Sequence, residues 1–262
     1  GLCSKRIREK EEEEYEKIKL SIRGSSSLRG GAVVVARGCL SLKELSLWNV
    51  PRVGDKGLCE IAEERHLLEK LDLCQCPHVS NNRLIAIIAN CRNLTILSIE
   101  SCLKIDNEGL QAIEKLCSKL QSISINDCPL IGDHGVSRRL SSAYFVFSKV
   151  KLHGLSIANF SLAVIGHYGK FVTNLMLSGL QNVSNNGFWV MGVTNVSLEA
   201  IEKECVNLKQ MCLRKCCFVS GDGLVAFAKF VGSLECLQLE ECNRDTQSRV
   251  IGVLSNQNPC CP

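Results

Sequence analysis

Aromatic residues make up only 5% of this 262-residue chain, and its formal charge is a modest +4. Few stacking platforms and a nearly balanced charge argue against an extended nucleic-acid surface. No apolar run approaches the roughly 18 residues that mark a membrane helix, so no membrane partner is expected. The N-terminus lacks the apolar core of a secretory signal, because Glu11, Glu12, Glu13 and Glu14 fall where that core would lie. The expectation is an intracellular protein. Catalytic signatures are missing too: there is no G-x-S-x-G elbow, no P-loop and no H-E-x-x-H, and the 5 histidines are dispersed. The chain reads as non-catalytic and without a cofactor.

Cysteine is what the sequence has in excess, with 17 copies. The stretch "LCQCPH", residues 73–78, places Cys74, Cys76 and His78 close together, as the start of a zinc site would. A disulfide framework is not expected, because the chain is long enough to bury a core and its compartment reads as reducing. No paired C-x-x-C set follows, and the adjacent pairs Cys216–Cys217 and Cys260–Cys261 are poorly placed to chelate one metal. No metal is expected. The sequons at Asn93, Asn159, Asn182 and Asn195 would matter only in a secreted chain.

A 26-residue period accounts for most of the cysteines. Leu42, Leu68, Leu94 and Leu120 fall in register, as do Leu45, Leu71, Leu97 and Ile123, and Leu47, Leu73, Ile99 and Ile125. Val50, Cys76, Cys102 and Cys128 form a further column, and Cys39, Arg65, Cys91 and Cys117 another. Gly57, Gly109 and Gly135 precede Leu58, Leu110 and Val136, with Arg83 the exception. Late in the chain the period returns, from Cys205, Leu208, Met211, Leu213 and Cys216 to Val231, Leu234, Leu237, Leu239 and Cys242.

The L-x-L core alternates with period two and predicts a short half-buried strand. Asp55, Asn107 or Asp133 can then cap a helix whose apolar residues include Leu58, Ile61 and Ala62. One strand and one helix cannot bury themselves, but stacked copies can. The predicted fold is an α/β leucine-rich-repeat solenoid, a horseshoe with parallel strands on the concave face and helices on the convex face. Residues 1–17 form a charged tail or helix, 18–242 the repeat domain of about eight coils, and 243–262 a divergent tail. Irregularities are expected near 137–149 and 193–205. Leu177 and Leu213 stand 36 residues apart, neither one period nor two, so the solenoid should bulge or break there.

The cysteine columns read as small apolar side chains at tight corners, since Val50 and Leu180 replace cysteine in other coils. Cys74 stands outside those columns and reads as an exposed thiol. Residues between and after the leucines point away from the core. They predict a variable concave surface for a protein partner, with Trp48, Asp72, Cys74, Glu100, Asn126, His153, Arg214 and Glu240 as candidate contacts. Trp48 and Arg214 are the anchor types that dominate interfaces.

"LSIRGSSS" (20–27), "LSLWNV" (45–50), "LAVIGHYG" (162–169), "NGFWVMG" (186–192) and "LQLEEC" (237–242) are not required by the repeat. In them the chain resembles the plant ethylene-insensitive-binding F-box proteins. That resemblance implies the substrate-recognition horseshoe of an SCF-type E3 ubiquitin ligase, capturing ethylene-response transcription factors in the nucleus for proteasomal removal. A Skp1-type adaptor and a cullin would then be partners through an F-box. The stretch Lys5–Lys17 contains no Leu-Pro-rich segment that could serve as one, so a binding-only protein is the alternative expectation.

Overall fold

A computed structural model describes residues 18–23, 42–50, 67–140, 147–180, 182, 207–216 and 233–242. The expectations for Cys39, Asp55, Gly57, Leu58, Ile61, Ala62, Arg65 and Cys205, for the 193–205 segment and for both tails lie outside the described residues.

Among the described residues nine strands form one parallel sheet whose spatial order is the chain order. They are β1 (Ile18–Arg23), β2 (Leu42–Trp48), β3 (Lys70–Cys74), β4 (Ile96–Glu100), β5 (Ser122–Asn126), β6 (Lys149–His153), β7 (Asn174–Ser178), β8 (Gln210–Arg214) and β9 (Cys236–Glu240). Helices α1 (Asn81–Asn90), α2 (Asn107–Leu116), α3 (Asp133–Leu140) and α4 (Asn159–Tyr168) lie between β3 and β7. No described helix is long and apolar enough to cross a membrane.

The leucine columns become the core because strand alternation turns them all inward. Leu45 pairs with Leu71, Leu71 with Leu97, and Leu97 with Ile123. Leu73, Ile99, Leu152 and Leu177 are at most 2% exposed, and the helices add buried Leu84, Ile88, Leu110, Ile113 and Leu162 from the other side. A single hydrophobic cluster runs through the stack from Leu42 to Cys216.

Asn107 and Asp133 do not cap their own helices as the sequence reading had them. The α2 N-cap is Asp106, whose side chain accepts from the Glu108 N–H. Asn81, Asn107 and Asp133 instead reach into the following coil, their Oδ1 atoms accepting from the backbone N–H of Asp106, Gly132 and Ala158 at 3.1, 3.1 and 2.8 Å. This explains the glycine column. A Cβ on Gly135 would stand 2.2 Å from Asn107 Oδ1, and one on Gly109 2.7 Å from Asn81 Oδ1. One coil further on, Ser161 fills the same position and donates its hydroxyl to Asp133 Oδ1 at 2.5 Å.

The predicted bulge or break between Leu177 and Leu213 does not occur in the sheet. β7 and β8 pair directly, Leu175 with Met211 and Leu177 with Leu213. Strand pairing depends on the geometry where the strands lie side by side, and a longer connection alters only the path between them.

Strands β2 to β8 end in the same corner. The next residue adopts positive φ: Asn49, Gln75, Ser101, Asp127 and Lys215 between 49° and 53°, Gly154 at 58° and Gly179 at 62°. That turn aims its N–H at the last carbonyl of the following strand, with distances of 2.8 Å for Gln75 to Glu100 and 2.9 Å for Gly179 to Arg214.

Candidate protein-recognition face

The concave surface is built from strand positions that alternate with the core leucines. In one row Ser46, Asp72, Ser98, Ser124, Lys151, Met176, Cys212 and Gln238 are successive partners, and in the next run Trp48, Cys74, Glu100, Asn126, His153, Ser178, Arg214 and Glu240. All eight candidate contacts therefore lie on one face. A third row escaped the sequence reading: Glu44, Lys70, Ile96, Ser122, Lys149, Asn174, Gln210 and Cys236. Extending the alternation by two residues towards the N-terminus would have found it.

Exposure divides the candidates. Trp48 is 39% exposed, whereas Cys74 and Asn126 are buried at 8% and 7%. The expectation that Cys74 is a surface thiol is corrected: it faces the concave side but lies between the longer Trp48 and Glu100, its partners in the adjacent strands. Neighbouring strands stand only about 4.8 Å apart, so a short side chain is shaded by longer ones beside it. Burial, with the nearby Glu100 and Asp72 carboxylates, pushes the Cys74 thiol up to about 12 despite the opposing Trp48 indole hydrogen bond. At neutral pH it is a thiol and not the nucleophilic thiolate.

The corner cysteines pack, and they also bond. Cys102 Sγ donates to the carbonyls of Leu73 at 3.7 Å and Glu100 at 3.5 Å, and Cys76 to those of Leu47 and Cys74 at 3.5 and 3.3 Å. Cys216 makes the equivalent contact to Leu177 at 3.8 Å. Each thiol thus bridges its own strand and the one before. "LCQCPH" accordingly splits into a shaded Cys74, a core Cys76 and an exposed His78. Among the described residues no cluster of three His, Cys, Asp or Glu side chains could hold a metal.

Charge is unevenly spread across the face. Asp72 accepts from the Ser46 hydroxyl at 3.2 Å, and Glu100 from the Asn126 amide at 3.4 Å. Neither carboxylate has a cationic partner among the described residues. On β6, Lys149 and Lys151 are exposed and have no acidic partner among them. His153 Nε2 lies 3.5 Å from Asp127. At the far end, Arg214 contacts Glu241 at 2.7 Å and Glu240 at 3.6 Å. Hydrogen bonding to Arg214 and Lys215 lowers the Glu241 carboxyl, and the Glu241 contact raises Arg214. Arg214 and Glu240 are therefore engaged with each other, whereas the Asp72 and Glu100 carboxylates accept from neutral side chains. Between these ends a trough of about 320 Å³ crosses β5 to β9, lined by Lys149, Lys151, Met176, Gln210, Cys212 and Gln238 among others.

This sheet, its repeating corners and the helices behind it define the chain as a leucine-rich-repeat solenoid. No family model matches it. Among solved structures it is similar to a chain in the crystal structure of the Rad7 and Elc1 complex in yeast, with a TM-score of 0.61 and 14% identity. The likeness covers 92% of this chain and 73% of that one, and it is a likeness of fold.

Proposed function

We propose that the chain is a non-catalytic recognition module that holds a protein substrate on its concave face for a ubiquitin ligase. The observation that carries this is the face itself. Its rows vary in charge, size and polarity from strand to strand, while the leucine columns behind them stay apolar. A rigid sheet bearing varied side chains suits selection of one partner, and a scaffold of this kind contributes by concentrating that partner beside a second component. The fold it shares with a chain of the Rad7 and Elc1 complex, itself an assembly of proteins, is compatible with such a role. The resemblance stretches at 20–27, 45–50, 162–169, 186–192 and 237–242 favour ethylene-response transcription factors as substrates, a Skp1-type adaptor and cullin as co-partners, and action in the nucleus.

The test is binding of a purified ethylene-response transcription factor to the full chain, with Met176→Trp as a variant that fills the trough. Expected are saturable binding by the parent and loss by the variant. A binding-only protein would capture the factor yet leave its half-life unchanged in cells. Absence of binding by the folded parent would sink the substrate assignment.

A further inference from the structure

The unpaired charges of the concave face specify what kind of peptide would lie across it. Asp72 and Glu100 occupy β3 and β4 near the exposed indole of Trp48, and among the described residues they bond only the neutral Ser46, Asn126 and Cys74 side chains. Lys149 and Lys151 on β6 line the trough, which reaches back to Ser122 and Ser124 on β5 and continues past the lysines to Met176 and Cys212 on β7 and β8. The face therefore runs from an acidic, aromatic end through a basic step to an apolar trough. Several other charges near this surface neutralise one another, as in Lys43–Glu69 at 3.1 Å, Lys209–Glu235 at 2.9 Å and the Arg214–Glu241 contact at 2.7 Å. Lys70, in the third row on β3, has no acidic partner among the described residues.

We infer that this face takes an extended peptide bearing a cationic side chain for Asp72, Glu100 and Trp48, an anionic side chain for Lys149 and Lys151, and an apolar side chain for the trough. The inference rests on the recognition role proposed above and narrows its partner to one charge pattern. Strand spacing sets the pattern's scale. From between β3 and β4 to β6 is about 12 Å at roughly 4.8 Å per strand, which an extended chain covers in about three to four residues. The trough floor on β7 and β8 lies about 5–10 Å further, or about two to three residues. Complementary charges at both ends fix the register and speed encounter, and the indole face adds attraction for the cation.

A panel of fluorescent peptides tests this. In a Gly/Ser background they carry one Arg, one Glu and one Leu, with the Arg–Glu separation varied from one to eight residues and in both chain directions. Binding to the full chain is followed by anisotropy at low and physiological salt. Tightest binding is expected at a separation of three to four residues with Leu beyond Glu, at least tenfold above the peptide with Arg and Glu exchanged, and weakening with salt. Lys149→Glu with Lys151→Glu should lose tenfold or more for the parent peptide and regain it for one with Lys in place of Glu. These surface substitutions leave the core untouched, and circular dichroism of the variant checks its fold.

Affinity indifferent to charge exchange, to spacing or to the compensating pair would overturn the inference, as would no binding by any peptide. The broader role is tested separately. If Met176→Trp abolishes transcription-factor binding while the lysine reversals leave it unchanged, the recognition face stands and the charge pattern fails. If neither affects it, both fail.

Discussion

Two halves of the solenoid reach the same sheet by different means. From β3 to β5 the spacing is regular: Leu71, Leu97 and Ile123 follow one another at 26 residues. From β5 to β8 the partners Ile123, Val150, Leu175 and Met211 are separated by 27, 25 and 36 residues. Both halves keep the inward leucines, the positive-φ corner and the N–H to the next carbonyl. The helix-side interlock, in which an asparagine of one coil occupies the space left by a glycine of the next, runs from α1 to α3 and gives way to the Asp133–Ser161 hydrogen bond at α4. The strand side thus dictates the architecture, and the connection can vary in length as long as it returns to the next corner.

The sharpest way to break this comparison is to remove the same core side chain from each half. Leu73 and Leu177 occupy one column, and both are 0% exposed. If the sheet is equally continuous in both places, Leu73→Ala and Leu177→Ala should each cost about 2–5 kcal/mol in chemical denaturation. A Leu177→Ala cost less than half that of Leu73→Ala would show the long connection to have loosened the core behind β7 and β8.

The interlock gives a smaller and more specific effect. Gly135→Ala forces a Cβ to 2.2 Å from Asn107 Oδ1. The expected loss is about 1–3 kcal/mol by overpacking. In an Asn107→Ala background the same substitution should cost clearly less, because the clashing oxygen is gone and only the 3.1 Å approach to the residue 107 Cα remains. Asn107→Ala alone is destabilising, since it removes the acceptor of the Gly132 N–H at 3.1 Å. The next coil reverses the arrangement: Ser161→Ala should be unfavourable because it deletes the 2.5 Å hydrogen bond to Asp133. A double-mutant cycle without coupling between positions 107 and 135 would remove the reason offered for the glycine column.

Much of this was legible in the sequence, unevenly so. Period two around Leu71 and Leu73, and its recurrence, were enough to predict the parallel sheet and the face bearing Asp72 and Glu100, because side-chain direction in a strand is fixed by alternation. The roles of Asn107 and Asp133 were misassigned. A capping residue and one bonding the adjacent coil have the same chemistry, and only stacking decides which N–H is nearer. The burial of Cys74 depends on the length of Trp48 and Glu100 in two other coils, which no pattern within "LCQCPH" encodes. The continuity of β7 with β8 was hidden for a similar reason: spacing along the chain measures the connection, whereas pairing occurs across it.

The smallest expected effect concerns the corner thiols, and it too bears on the two halves. Burial pushes Cys91 and Cys102 up to about 12 and Cys128 up to about 11, from an ordinary value of 9.0, with neighbouring cysteines or carboxylates adding to the shift. The folded state therefore holds these protons more tightly than the unfolded chain does. The resulting stability is present below about pH 9 and declines as pH rises towards 11–12. In the irregular half the corner column holds Leu180, 1% exposed and without a titrating group, after β7 and Cys216 after β8. Cys102→Val, which copies the side chain found at Val50 in the same column, should cost less than about 1.5 kcal/mol at pH 7. It loses only weak thiol donations to Leu73 and Glu100. Between pH 9 and pH 11 its stability should fall less steeply than the parent's, as denaturation midpoints under reducing conditions would reveal. Parallel pH profiles would mean that ionisation of Cys102 does not govern the alkaline limit, and that its place at the corner is a matter of packing alone.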